Sequence, residues 1–271
     1  MPTVDIVKEK WAGSVREVTL GATAAEGGTR KRVLTIGGER TLPGLHFEGA
    51  LPHSTALAIE VRDRRPDDWS PLLRDAWGAV LDDPAEWAKA AEALGADLIY
   101  LTLSLTTVDG QPNTPELARA VLRKVLGATG LPLAVIGPGQ AEMDNALLLA
   151  VAEEAKGERL LLGNCEDKNY RTLVAAALGN DHLVTTKTPM DVNLGKQLVI
   201  LVHDMGMPPE RIVMDPTTGA LGYGIEYGYS VMERLRLAAL GGDSMTQQPM
   251  LVTPGEEAWK TKESKVGAGV P

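Results

Sequence analysis

Short apolar runs recur along the chain from residue 57 onward, and each is followed by glycine, proline or polar residues. Seven runs have the length of buried strands, and they are Leu57–Val61, Leu98–Leu103, Leu131–Ile136, Leu160–Leu162, His182–Thr185, Ile212–Met214 and Met250–Val252. Between most of them, apolar residues recur at the three-to-four residue spacing of a helix. This alternation of strand and helix predicts the repeated βα units of a parallel sheet.

The stretch Arg211–Leu240 shows the repeating unit most completely. The apolar run Ile212–Met214 ends at Asp215-Pro216, because proline lacks the N–H that a sheet requires. A glycine-rich loop, Gly219–Tyr227, follows, and apolar residues at helical spacing begin at Val231. The polar and glycine residues thus come after the carboxyl end of the strand, where α/β folds place their sites.

Residues 14–40 have a different pattern, with two short alternating segments on either side of the turn sequence AAEGGT. This pattern predicts a β-hairpin that forms a lid over one end of the fold. We therefore divide the chain into an N-terminal hairpin and lead-in, residues 1–50, and a barrel, residues 51–271.

The fold class predicted from these elements is α/β, a TIM-type (β/α)8 barrel with an N-terminal β-hairpin. Seven candidate strands are one fewer than the barrel needs, and at this spacing the missing helix and strand require roughly 40 more residues. We expect a barrel truncated at the C-terminus, without its last helix and strand. An open doubly wound sheet is the alternative, but a regular repeat that stops within a unit leaves sheet edges unpaired.

Composition narrows the class of partner. The chain has 271 residues, a formal net charge of −9 and 44% hydrophobic residues. This acidic balance argues against a nucleic acid or an anionic membrane as partner. No apolar run reaches the roughly 18 residues of a membrane-spanning helix, and the N-terminus lacks signal-peptide order. We expect a cytoplasmic protein.

The residues that usually carry catalysis or bind metals are sparse. The single cysteine, Cys165, cannot form an intrachain disulfide or hold an iron–sulfur cluster, which takes about four thiolates. The four histidines are far apart in sequence, and no phosphate loop or Ser–His–Asp order is present. We therefore predict no catalytic residues and no metal site on this chain.

Polar residues at strand ends are the candidates for binding. In a barrel these ends converge on one rim, which would bring together Asn164, Thr186, Asp215 and Thr217. On the glycine-rich loop the candidates are Gly222, Tyr223, Gly224 and Glu226. Here the backbone could approach a large flat ligand closely, and an aromatic ring could pack against it. The alternative is that these residues only cap the loops of a barrel.

Five segments carry a resemblance to a known family. They are TLGAT and GGTR within Thr19–Arg30, HFEG at His46–Gly49, GADLIYL at Gly95–Leu101, LLLGNCE at Leu160–Glu166, and ALGYGIEYGYSVMERLRLAAL at Ala220–Leu240. With these segments the chain resembles the small, or delta, subunit of the corrinoid iron–sulfur protein of the acetyl-CoA (Wood–Ljungdahl) pathway. Members of that family continue past the end of this chain to complete the barrel.

The resemblance implies a non-catalytic subunit of a heterodimeric methyl carrier. A large corrinoid iron–sulfur subunit would carry the [4Fe-4S] cluster, and a corrinoid (cobalamin) would lie where that subunit meets the barrel. The methyl group would come from methyltetrahydrofolate through a methyltransferase and pass to acetyl-CoA synthase/CO dehydrogenase. Two alternatives stay open: a pterin-binding TIM-barrel methyltransferase, with Asp215 and Asn164 holding the pterin, and a structural barrel that scaffolds the complex.

Overall fold

The computed structural model describes residues 6–265, and it begins with the hairpin that the sequence predicts. Strands β1 (Val18–Leu20) and β2 (Leu34–Ile36) pair antiparallel, with Val18 opposite Ile36. The connection between them contains a short 3-10 turn at Ala24–Glu26 rather than a tight two-residue turn.

Six parallel strands form the main sheet, paired in the order in which they occur along the chain. They are β3 (Ala58–Arg62), β4 (Leu98–Thr102), β5 (Leu133–Ile136), β6 (Leu161–Cys165), β7 (Leu183–Lys187) and β8 (Ile212–Asp215). This order confirms the predicted βα plan of a TIM-type barrel. The seventh predicted strand is reduced to one parallel bridge between Met214 and Met250, so the described residues do not close the barrel.

Helices fill the intervals between the strands. They are α1 (Pro71–Trp77), α2 (Pro84–Ala93), α3 (Pro115–Ala128), α4 (Ala141–Glu154), α5 (Tyr170–Asn180), α6 (Val192–Asp204), α7 (Ile225–Leu240) and α8 (Pro254–Ala258). The short helices α1 and α8 were not predicted, because neither has enough turns to show helical periodicity. No helix among residues 6–265 is long and apolar enough to cross a membrane.

The start of α7 differs from the sequence expectation. Gly224, with a φ of 106°, is the residue immediately before the helix, which begins at Ile225. Glu226 and Tyr227 therefore belong to its first turn and not to the loop. The polar and aromatic residues of this turn hide the apolar periodicity, which becomes clear only at Val231.

The hairpin closes the amino-terminal end of the barrel. Val18 and Leu20 are buried in one cluster with residues from the beginnings of the parallel strands, namely Leu98, Ala134, Leu161, Leu183 and Val213. Because side chains alternate between the two faces of a strand, these residues define the inward-facing positions. The hairpin is thus the predicted lid, and the carboxyl end of the barrel lies opposite it.

A second and larger core lies between the sheet and the helices. Trp87 on α2 is fully buried there, and its ring meets that of Trp69 edge to face at 5.4 Å between centroids. This outer layer fixes the strands relative to one another, and with them the side chains at the carboxyl end.

Candidate functional site at the carboxyl end of the barrel

Charged side chains occupy the inward-facing positions at the ends of β7 and β8. Val213 belongs to the inner cluster, so Asp215, two residues later, also faces inward. Lys187 is its direct register partner on the neighbouring strand. The barrel interior is therefore apolar next to the hairpin and charged at the opposite end.

Asp215 is completely buried, yet only one of its carboxylate oxygens has a partner. The backbone N–H of Thr217 donates to Oδ1 at 2.9 Å, while Oδ2 has no hydrogen-bond partner. Burial raises the pKa of Asp215 to about 6, although the nearby Lys187 ammonium and the Thr217 N–H act in the opposite direction. A carboxyl group of this kind is poised to change its protonation near neutral pH.

Lys187 is bound to a different carboxylate. Its Nζ donates to both oxygens of Glu256 on α8, at 2.6 and 2.5 Å. Burial opposes ionisation of Glu256, but the Lys187 ammonium holds the pKa of this carboxyl below its ordinary value. Neither residue was among the site candidates predicted from the sequence, although alternation from Leu183 through Thr185 was a signal that could have found Lys187.

Asn164 lies at the same end of the barrel, on β6. Its backbone carbonyl accepts from the Asn169 side chain at 3.0 Å, while its Oδ1 is buried and unpartnered. The preceding Gly163 has no room for a Cβ, because that atom would clash with the Thr185 methyl group inside the barrel. Asn164 and Asp215 thus each present a buried oxygen atom without a partner.

Thr186 faces away from this site. Its register partner Met214 belongs to the core between sheet and helices, so Thr186 lies on the helix side of β7, where its hydroxyl donates to the Val213 carbonyl at 3.5 Å. The neighbours Thr185 and Lys187 take the inward positions instead. Without the register, the sequence could not tell which alternate residues of this strand face the interior.

Thr217 connects the end of the barrel to a cavity of about 580 Å³ beside α6. Its hydroxyl donates to the Thr188 carbonyl at 2.7 Å, and its φ of 58° turns the chain sharply after β8. The cavity has an apolar wall on α6 and a charged rim, with the lining residues Leu194, Leu198, Leu201, Lys187, Lys168 and Glu166 among them. Its volume lies within the range of small-molecule sites.

The loop between β8 and α7 points toward solvent. Gly222 and Gly224 have φ values of 76° and 106°, and no atom lies within 4 Å of where a Gly222 Cβ would be. The Tyr223 hydroxyl donates to Glu263 at 2.9 Å, and Glu226 is exposed in the first turn of α7. These four predicted residues thus form an outer surface, separate from the buried oxygen atoms of Asn164 and Asp215.

Exposed large apolar side chains are concentrated on this surface, which comprises the loop after β8 and the first turn of α7 and which we call the rim loop (residues 216–229). The most exposed are Leu221 at 83%, Tyr227 at 66% and Tyr229 at 64%, with Tyr223 at 56% and Ile225 at 36%. Three of the five tyrosines of the chain are therefore here, whereas Tyr170 is buried in the outer core. An aromatic surface of this kind suits a flat apolar ligand or a protein partner.

Asp63, just after β3, organises a second polar cluster at the same end. Its carboxylate accepts from the Ser104 hydroxyl at 2.6 Å, the Ser104 N–H at 2.9 Å and the Asn113 amide at 2.8 Å. All three donors are satisfied within the cluster, which ties the loops after β3 and β4 together. Ser104 and Asn113 are 41 and 50 positions from Asp63, so local sequence patterns could not predict this cluster.

Cys165 is fully buried in the core that faces the helices. Burial raises the pKa of its thiol well above the usual range, so the reactive thiolate is disfavoured. Within residues 6–265, no group of three or more His, Cys, Asp or Glu side chains is placed to hold a metal ion.

Comparison with known proteins gives the family. The model of the CO dehydrogenase/acetyl-CoA synthase delta subunit matches residues 17–268. The acetyl-CoA decarbonylase/synthase complex subunit delta of Archaeoglobus fulgidus is 41% identical over 260 residues, which are 95% of this chain and 57% of the relative. The corresponding subunit of Methanopyrus kandleri is 39% identical over 93% of this chain and 62% of its own length.

The chain spans less than two thirds of the length of these relatives. Among solved structures, dihydropteroate synthase from Thermus thermophilus superposes with a TM-score of 0.51 at 18% identity, covering 88% of this chain and 76% of that one. This likeness supports the barrel fold and says nothing about function. By the family match and the identity to curated relatives, the chain belongs to the CO dehydrogenase/acetyl-CoA synthase delta subunit family.

Proposed function

We propose that this chain is the barrel subunit of a corrinoid methyl carrier, and that its rim loop forms one wall of a cobalamin site shared with a large corrinoid iron–sulfur subunit. The observation that carries the proposal is the concentration of exposed aromatic side chains on residues 216–229, in a member of the delta subunit family. When bound, the corrinoid supplies a cobalt centre that accepts the methyl group. This chain contributes position and access.

The rim loop fits a corrin in three respects. A corrin is broad, flat and largely apolar, and Tyr223 and Tyr227 offer exposed aromatic faces. The backbone can approach closely at Gly222, where no side chain intervenes. Thr217, within the same segment and on the wall of the neighbouring cavity, offers a neutral hydroxyl group for the amide arms.

The cysteine content supports a partner that carries the [4Fe-4S] cluster. The only thiol of this chain, Cys165, is buried in the helix-side core, away from the carboxyl end. A cluster takes about four thiolates, which the large subunit would provide. In this proposal the methyl group arrives from methyltetrahydrofolate through a methyltransferase and leaves to acetyl-CoA synthase/CO dehydrogenase, all in the cytoplasm.

The experiment uses the full-length subunit co-expressed with the large subunit. The double variant Leu221→Ser with Tyr227→Ser removes exposed apolar area from the rim loop, and Leu57→Ser with Leu94→Ser is the matched control at the opposite, amino-terminal end of the barrel. We expect the rim-loop variant to lower the corrinoid content, read from the visible spectrum per heterodimer, and methyl transfer in both directions. The control should retain both.

Replacing the glycines themselves is a poorer test. Valine at Gly222 or Gly224 would be forced into a positive φ, so the backbone would change together with the site. Equal corrinoid content and equal methyl transfer in the rim-loop variant and the control would contradict the proposal and favour a structural barrel. Tight binding of methyltetrahydrofolate by the purified subunit alone would instead favour a pterin-binding methyltransferase.

A further inference from the structure

Residues 253–265, which we call the strap, lie across the carboxyl end of the barrel. The strap contains α8, and long-range polar contacts fasten it at two points: Glu256 binds Lys187 on β7, and Glu263 accepts from the Tyr223 hydroxyl on the rim loop. No residue from 251 to 264 is buried. A segment with few buried apolar contacts opens locally at low free-energy cost.

Lys187 lies between two carboxylates. Glu256 on the strap binds its Nζ through both oxygens, while Asp215, its register partner inside the barrel, keeps an oxygen without a partner. Neighbouring strands lie roughly 4.8 Å apart, so the side chains of register partners lie side by side on one face of the sheet. Lys187 can therefore reach either carboxylate.

Arg62 and Lys260, two other cations at this end, already have carboxylate partners. Arg62 on β3 is held by Glu60 at 2.9 Å and Asp68 at 2.7 Å. Lys260, on the strap itself, binds Glu257 at 2.6 Å and approaches Glu256 only to 3.8 Å. The charge of Glu166 raises the pKa of Asp215, and the charge of Asp215 raises the pKa of Tyr100. Neither Glu166 nor Tyr100 is a cation that could replace Lys187.

We propose that the strap opens and closes over the end of the barrel, and that Lys187 changes its partner from Glu256 in the closed state to Asp215 in the open state. Each state satisfies the ammonium group. Closing leaves Asp215 with an unpaired buried oxygen, whereas opening releases Glu256 into water, where it is solvated. Opening exchanges the ion pair with Glu256 for one with Asp215, so the gain offsets the loss, which is the condition for two states of similar free energy.

Opening would have two consequences for the surface. It would expose the inward-facing residues at the end of the barrel, including Asp215, to ligands or solvent. It would also break the contact between Glu263 and Tyr223, and so free the rim loop. The exchange does not depend on a corrinoid, so it can be tested on the chain alone.

The test compares Glu256→Gln with Glu257→Gln in the full chain. Glu257 is adjacent on the same helix and binds only Lys260, so it is a matched control. In Glu256→Gln we expect hydrogen exchange of the strap amides to accelerate about tenfold, because a hydrogen bond to a charged group contributes roughly 1.5–3 kcal/mol. The Asp215 carboxyl pKa, followed by carbon-13 NMR, should fall from about 6 as Lys187 turns to it.

Equal strap exchange in the two variants, or an unchanged Asp215 pKa in Glu256→Gln, would overturn the proposal. The unmodified chain provides a second measurement in case the variant does not fold. Its strap amides should exchange faster than those of β7 and β8, with little dependence on denaturant, because local opening exposes little surface. Exchange of the strap only through global unfolding would refute a separate open state.

Discussion

At the scale of single residues, Asp215 shows how the fold alters ordinary chemistry. An aspartate in water has a pKa of about 3.9, but burial raises that of Asp215 to about 6. In the unfolded chain this carboxyl ionises at lower pH than in the folded protein. Between the two pKa values the unfolded state binds fewer protons, so the free energy of unfolding falls as pH rises.

We predict that Asp215→Asn removes this pH-dependent cost. The amide can still accept from the Thr217 N–H but does not ionise. The variant should therefore gain stability relative to the unmodified protein as pH rises from about 4 to 7, by up to about 3 kcal/mol. Urea unfolding at several pH values measures the difference.

The exposed Asp109 supplies the control for this prediction. Asp109→Asn should change the free energy of unfolding by less than about 0.5 kcal/mol at any of these pH values. A difference in the free energy of unfolding between Asp215→Asn and the unmodified protein that stays constant across the pH range would show that burial does not raise the pKa of Asp215.

At the scale of elements, one buried ion pair fastens the hairpin connection to the barrel. Arg30 is 4% exposed, and its Nε donates to Glu158 at 3.0 Å. Its other nitrogens donate to the carbonyl groups at the end of α3 and in the turn before β5, namely Leu126, Thr129 and Leu131. A planar guanidinium reaches all of these acceptors at once, which an ammonium group cannot do.

We predict that Arg30→Met destabilises the protein by about 3–5 kcal/mol, because it leaves Glu158 charged, buried and unpaired. Adding Glu158→Gln should restore part of this loss. Both effects are read from denaturant unfolding. Arg32→Met is the control, since this neighbouring guanidinium is half exposed, and a loss as large as that of Arg30→Met would disprove the role of burial.

At the scale of the whole molecule, the two ends of the barrel differ in the chemistry of their surfaces. The amino-terminal end is sealed by the apolar face of the hairpin, through Val18 and Leu20. The carboxyl end carries charged interior residues, the strap and the exposed aromatic rim loop. A partner that covers an apolar surface should therefore bind at the carboxyl end.

We predict that complex formation with the proposed partner, a large corrinoid iron–sulfur subunit, protects residues 216–229 from hydrogen exchange. The surface formed by α1 and α2, residues 71–93, should exchange at the same rate in the free and bound chain. Mass-spectrometric exchange on the isolated and co-purified subunit measures both regions. Protection of residues 71–93 with none at 216–229 would place the partner on a different face.

Much of the architecture could be predicted from the sequence alone. The six parallel strands and their order, the hairpin and the longer helices follow from hydrophobic periodicity, which is a property of neighbouring residues. Errors arose where local patterns are short or ambiguous, as at α8 or at the start of α7. Glycine often ends a helix, yet Gly179 lies inside α5, and Asp181 takes the left-handed position that follows the helix.

The tertiary structure alone decided which polar residues share a site. Whether Thr186 or Lys187 faces inward depends on the register between strands. A shift of one residue would move every side chain of β7 to the opposite face of the sheet. Glu256 meets Lys187 across 69 residues, and Arg30 meets Glu158 across 128. Local sequence carries the periodicity of each element, but the partners of a charged side chain are set only when distant elements are brought together and water is excluded.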